Sequence, residues 1–237
     1  MQRRSIQQIV ILFVICGVIV AGLAWWLNYR NVSQELVLDD NGKAKELAAP
    51  VAPDALQNNN EAVTNTMNPK AVFTTNKGTF ELELFEDQMP ITVGNFIKLA
   101  GEGFYNGTKF HRVIDGFMIQ GGDPNSKTDA TTTYGQGGPG YTIQDEFVSA
   151  PDLSNTRGSI AMANTGQPNS GGSQFFIDTV DNTGLDFDKE PLTSKHPVFG
   201  HVISGMDVID AISKTKTGPR DIPVDPVIIE SVNIVRN

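Results

Sequence analysis

From Lys70 to the C-terminus, apolar and polar side chains recur at the spacings of regular secondary structure. Phe80, Leu82 and Leu84 alternate with Thr79, Glu81 and Glu83, the period-two pattern of a strand with one buried face. This predicts strands over 71–75 and 79–85, joined by a turn at Asn76-Lys77-Gly78. Pro90 opens a run in which Val93, Phe96, Ile97 and Ala100 fall at helical spacing, ending at Gly101 or Gly103. A second helix is predicted over 206–214, presenting Val208, Ile209 and Ile212. Short apolar runs predict further strands at 111–114, 117–120, 159–163, 174–177, 197–202 and 227–235. Eight short strands and two helices with Gly- and Asn-rich connections imply a mainly β fold, a closed eight-stranded antiparallel β-barrel capped by two α-helices.

The pattern upstream is different. Residues 9–27 carry no charge and would span roughly 28 Å as a helix, close to the ~30 Å of bilayer hydrocarbon. Arg3 and Arg4 precede this run, and Trp25, Trp26 and Tyr29 close it, giving a positive-inside flank and an aromatic belt that Arg30 weakens without reversing. The expected organisation is a short basic cytoplasmic N-terminus over 1–8, a transmembrane anchor over 9–27, a flexible linker over 28–69 and an extracytoplasmic domain over 70–237. Gly22-Leu23-Ala24 offers the rival of a cleaved signal and a secreted domain, against which the apolar run is longer than the usual ~7–15 residues. The linker, with Pro50, Pro53, Pro69 and Asn58-Asn59-Asn60, would extend about 35–40 Å as a coil.

Charge and cysteine narrow the function. Residues 70–237 hold 13 Lys and Arg against 21 Asp and Glu, so they account for −8 of the chain's net −9 and would repel a phosphate backbone. Nucleic acid is therefore not an expected partner. The lone Cys16 lies inside the apolar run, so no intrachain disulfide can form. No His pair has zinc-site spacing, Asp186, Asp188 and Glu190 lack the glycine and periodicity of a calcium loop and read as a solvated loop, and no Gly-x-Ser-x-Gly elbow occurs. Gly135 to Gly140 lacks the Lys-Ser or Lys-Thr of a phosphate loop and reads as a tight turn.

The chemistry concentrates in Phe110 to Asp123, which sets Arg112 and Gln120 among large apolar side chains. In extended conformation, Arg112, Ile114, Met118 and Gln120 share one side, with a turn at Asp115-Gly116. Such a surface suits an apolar substrate with one amide to polarise. A second stretch, Gly158 to Thr165 followed by Gly171-Gly172-Ser173-Gln174-Phe175-Phe176-Ile177, repeats the chemistry with small residues, amides and paired phenylalanines. On its strand Phe175 should face the core and Phe176 the opposite side.

Together with Lys195-His196-Pro197-Val198-Phe199-Gly200, these stretches resemble the cyclophilin family of peptidyl-prolyl isomerases, in the family's order and over the whole of residues 70–237. The resemblance implies rotation about Xaa-Pro bonds with no cofactor and no metal, acting on proline-containing polypeptides such as unfolded or newly exported proteins. It implies catalytic roles for Arg112, Phe117 and Gln120, and substrate binding by Met118, Ala163, Asn164, Thr165, Gln174, Phe176, Leu185 and His196. The sequence departs from the family at Asp115, where a proline is common, at Thr165, where an alanine is common, and at Gly184, where a tryptophan often precedes the pocket leucine. The missing indole predicts weakened binding of cyclosporin with catalysis retained. Phe187 to Ser194 reads as an insertion. The rival function is a non-catalytic proline-peptide chaperone or scaffold, favoured if Asp115 locks Arg112.

Overall fold

The computed structural model describes residues 68–236. The predicted segments 1–8, 9–27 and nearly all of 28–69 lie outside them, and among the described residues no helix is long and apolar enough to cross a membrane.

Strands β1 (Lys70–Thr75) and β2 (Gly78–Leu84) form the first hairpin. At its turn, the Thr75 hydroxyl accepts from Lys77 N at 3.1 Å and donates to Gly78 O at 2.7 Å. Helix α1 (Pro90–Gly101) begins at the predicted proline, and the side chain of Met89 before it gives no cap. Glu146, from a distant loop, supplies one instead: its carboxylate accepts from Ile91 N at 2.9 Å and Thr92 N at 2.6 Å. Then follow β3 (Arg112–Ile114), β4 (Met118–Gly121), β5 (Ser159–Met162), β6 (Phe175–Asp178), β7 (Val198–Ser204), α2 (Met206–Ser213) and β8 (Ile229–Val235). Both helices and all eight strands occur where the periodicity predicts them, displaced by at most a few residues at each end.

The sheet order is β3-β4-β6-β5-β7-β2-β1-β8, every pairing being antiparallel. The expected closure is corrected here: the sheet is open and curled, because among the described residues β3 and β8 each pair on one side only. Their seam holds a single bridge, Lys109 to Ile228, flanked by main-chain bonds from Phe110 N to Val227 O and Ile229 N to Thr108 O. A three-residue β3 is too short to continue that contact as a ladder.

Against the inner face pack the rings of Phe73, Phe80, Phe96, Tyr105, Phe110, Phe175 and Phe199, each at most 1% exposed. Phe73 stacks on Phe80 at 4.7 Å, and Phe175 meets Phe96 edge-on at 5.9 Å, which fastens α1 to the sheet. This aromatic core makes a firm backing for the strands that carry the site.

Candidate active site

Cross-strand register assembles the site. Arg112 on β3 faces Gln120 on β4, Gln120 faces Phe176 on β6, and Phe176 faces Ala161 on β5. Residues directly opposite share a sheet face, so these four form one row. One residue along, Val113, Ile119, Ile177 and Ile160 form the alternate row, each at most 1% exposed, in the core. Ile114 pairs with Met118 on the face of Arg112, and Phe175 is wholly buried while Phe176 turns to the other side, both as predicted.

Arg112 is held from an unexpected quarter. Its Nε lies 3.4 Å from Asp221 Oδ2, with side chains 42% and 46% exposed, so the contact orients the guanidinium without quenching it. Asp115, the anticipated partner, is exposed and makes no ion pair among the described residues. Among those residues neither Nη of Arg112 is engaged, which leaves two donors directed by a tethered Nε.

The apolar slot that the resemblance implies would have Met118 (2% exposed) and Phe176 (5%) as its floor and the half-buried Phe117, Leu185 and His196 as its walls. His196 meets Phe176 edge-on at 5.3 Å, and its Nδ1 donates to Met162 O at 3.1 Å. Burial pushes the His196 imidazole below its ordinary pKa, partly offset by that hydrogen bond, so the ring is neutral at neutral pH. Asn155 Nδ2 donates to His196 O at 3.1 Å, and His196 N donates to Leu185 O at 3.1 Å, which ties the two walls together.

The anchor of that tie corrects the reading of Asp186 as a solvated residue. It is 4% exposed and accepts from Ser154 Oγ at 2.5 Å, Asn155 N and Nδ2 at 2.7 Å each, and Lys189 Nζ at 2.6 Å. Burial alone would raise its pKa, but these donors, Lys189 foremost, hold the carboxyl below the usual range. The insertion is thereby fixed through Lys189 to the wall of the slot. A Cβ at Gly184 would sit 3.6 Å from Pro191 Cδ, in ordinary van der Waals contact with the insertion.

The amides grip loops as well as bordering a cleft. Gln120 Nε2 donates to Gln174 Oε1 at 3.1 Å, and Gln174 Nε2 donates to Gly137 O at 2.8 Å. Asn164 Nδ2 donates to Lys195 O at 2.7 Å, while Asn164 Oδ1 accepts from Gly166 N at 3.0 Å. Thr165 is exposed, its N–H engaged by Ser170 Oγ. Ala163 N donates to Gln174 O at 3.0 Å. These residues line a cleft of about 440 Å³ whose far wall is Gly135 to Pro139. That wall was read from sequence only as a tight turn. It is hung from Asp123, a fully buried carboxylate that accepts from Gly135 N at 2.5 Å and Asn125 N at 2.8 Å.

Comparison with known proteins gives the same answer. The family model for cyclophilin type peptidyl-prolyl cis-trans isomerases matches residues 70–234. Peptidyl-prolyl cis-trans isomerase B of Escherichia coli (strain K12) is 45% identical over 169 residues, covering 68% of this chain and 97% of that protein. A probable peptidyl-prolyl cis-trans isomerase A of Mycobacterium bovis is 43% identical over 194 residues, covering 73% and 97%. A Cryptosporidium parvum cyclophilin type peptidyl-prolyl cis-trans isomerase, crystallised in the presence of the dipeptide Ala-Pro, superposes with a TM-score of 0.60 at 33% identity, covering 71% of this chain and 99% of that one. Motif, register and relatives converge: the chain belongs to the cyclophilin-type peptidyl-prolyl cis-trans isomerase family and is an isomerase of that type.

Proposed function

We propose that the chain accelerates Xaa-Pro rotation in exported polypeptides, assisting their folding, with residues 9–27 holding the domain on the extracytoplasmic side of a membrane. The uncharged run and its flanks support the location, and secretion after cleavage is the alternative. The chemistry rests on one observation, the half-open guanidinium of Arg112 in a row with Gln120 and Phe176.

Rotation about an Xaa-Pro bond meets a barrier of about 18–20 kcal/mol, set by amide resonance. In the twisted state the proline nitrogen regains its lone pair and becomes a hydrogen-bond acceptor. With the ring seated on Phe176 and Met118, an Nη of Arg112 donates to that nitrogen, an interaction absent from either planar isomer. Gln120 and Asn164 hold the flanking main chain while the amide turns. The weak tether to Asp221, rather than a locked pair with Asp115, favours turnover over the scaffold reading.

Removing the guanidinium should remove mainly transition-state binding, so Arg112→Ala is expected to lower kcat/KM about 10- to 100-fold, with peptide affinity nearly unchanged. Exchange spectroscopy on a short Xaa-Pro peptide with the full chain measures both. Equal exchange rates in Arg112→Ala and the native protein would overturn the assignment. For cyclosporin we expect weak binding that Gly184→Trp strengthens, because the glycine lacks the indole contact surface and a Cβ there would meet Pro191 and Glu190 O only at ordinary van der Waals distance. Titration calorimetry reads this, and an unchanged affinity in Gly184→Trp would refute it.

A further inference from the structure

Past Arg112 the surface continues into a second hollow, of about 230 Å³, bordered by His111, Arg112, Gln120, Arg220 and Asp221. Gln120 and Gly135 line both this hollow and the larger cleft, so a single extended peptide seated on Phe176 can reach the two. We propose that the hollow is a subsite for the carboxylate of an Asp or Glu side chain flanking the substrate proline, with Arg220 as its specificity-determining residue. This deepens the isomerase reading and rests on it.

Three observations carry the proposal. Two guanidinium groups face one carboxylate here, in a domain whose residues 70–237 otherwise hold 13 cations against 21 anions. Arg220 donates from Nη2 to Thr131 O and makes no ion pair among the described residues, leaving charge and donors for an anion. His111 is 3% exposed, and neither ring nitrogen has a hydrogen-bond partner among those residues. Both nitrogens are closed off from solvent, so the ring would have to turn for its N–H to meet the oxygen of a bound carboxylate, a partner that would offset the cost of its burial.

The backbone points the same way. Arg220 and Asp221 are consecutive left-handed residues, φ 63° and 59°, a conformation sparsely populated by either side chain. It sets both side chains on the rim of the hollow, where the Asp221 carboxylate meets Arg112 and the Arg220 guanidinium stays available. Overall negative charge would disfavour an acidic peptide on this domain, so a preference for one requires a local source.

The test uses the full chain and peptides in which Glu or Gln replaces Ala at each of two positions on either side of the proline. At one position kcat/KM for Glu should exceed that for Gln by about fivefold at low salt, shrinking toward unity at high salt. Arg220→Asn, which keeps a side chain tolerant of left-handed backbone, should bring the ratio to about one. Asp221→Asn should raise it. The proposal is overturned if Glu and Gln are equivalent at all four positions, or if the ratio survives in Arg220→Asn. Absence of turnover even with the all-Ala peptide would instead sink the isomerase reading. The subsite would then stand or fall on the same Glu-to-Gln ratio read as affinity by calorimetry.

Discussion

Gly137 shows how tightly the cleft wall is specified at the level of one side chain. A Cβ there would overlap Asp123 Oδ1 and press on Asn125 and Pro124, the residues from which the wall is hung. Gly137→Ala should therefore displace the loop from Gln174 and raise KM severalfold, with a smaller change in kcat. Steady-state kinetics on a short peptide check this, and an unchanged KM would show the wall to be dispensable. The contrast with Arg112 explains what a reader of the sequence can and cannot see. Arg112 and Gln120 are eight positions apart within one hairpin, so alternation alone puts them side by side. Asp221, the partner of Arg112, is 109 positions away, across an irregular turn, and no local pattern announces it. Asp123 closes the motif that begins at Phe110, but its task, accepting from Gly135 N, depends on a loop whose path only tertiary packing determines.

At the level of elements, helix α1 depends on a carboxylate that its own sequence does not contain. Glu146 accepts from two of the N–H groups that the first turn leaves without partners. Glu146→Ala should cost about 1 kcal/mol and lower the melting temperature by a few degrees, with Glu146→Gln intermediate. Calorimetry measures this, and an unchanged midpoint in Glu146→Ala would refute the capping role. The same distinction separates what was legible from what was not. Strands and helices with strong periodicity were readable because burial imposes spacing, as with Phe80, Leu82 and Leu84. The short helical turns at 124–127, 131–133, 151–153, 183–185 and 219–221 have no repeating apolar face, and only the first carries a side-chain cap, from Asp123, so no periodicity announces them. Closure of the barrel was over-read for a related reason. Strand count suggests a cylinder, but whether the two edges pair depends on register, and here a short β3 leaves a seam.

At the scale of the whole molecule, burial leaves a carboxyl that resists ionisation. Asp178, fully buried and paired in register with Met118, has its pKa pushed up to about 7. Burial is the main cause, opposed by hydrogen bonds from Asn182 and Ser159, with Asp186 and Asp181 adding repulsion. The folded state thus keeps this proton up to a pH where the unfolded chain, near 3.9, has lost it. Its contribution to stability is full below about pH 4 and is lost as pH rises toward 7. Asp178→Asn should accordingly show a smaller fall in melting temperature between pH 5 and pH 8 than the native protein. Equal falls would remove Asp178 from the account.

The seam and the placement of the Arg112 row share a consequence for what this enzyme can accept. Because the working surface lies on the side of the sheet turned away from the aromatic interior, and no described element roofs it, a client need not be threaded in by an end. A proline midway along a peptide has room to be engaged and let go while both tails trail freely.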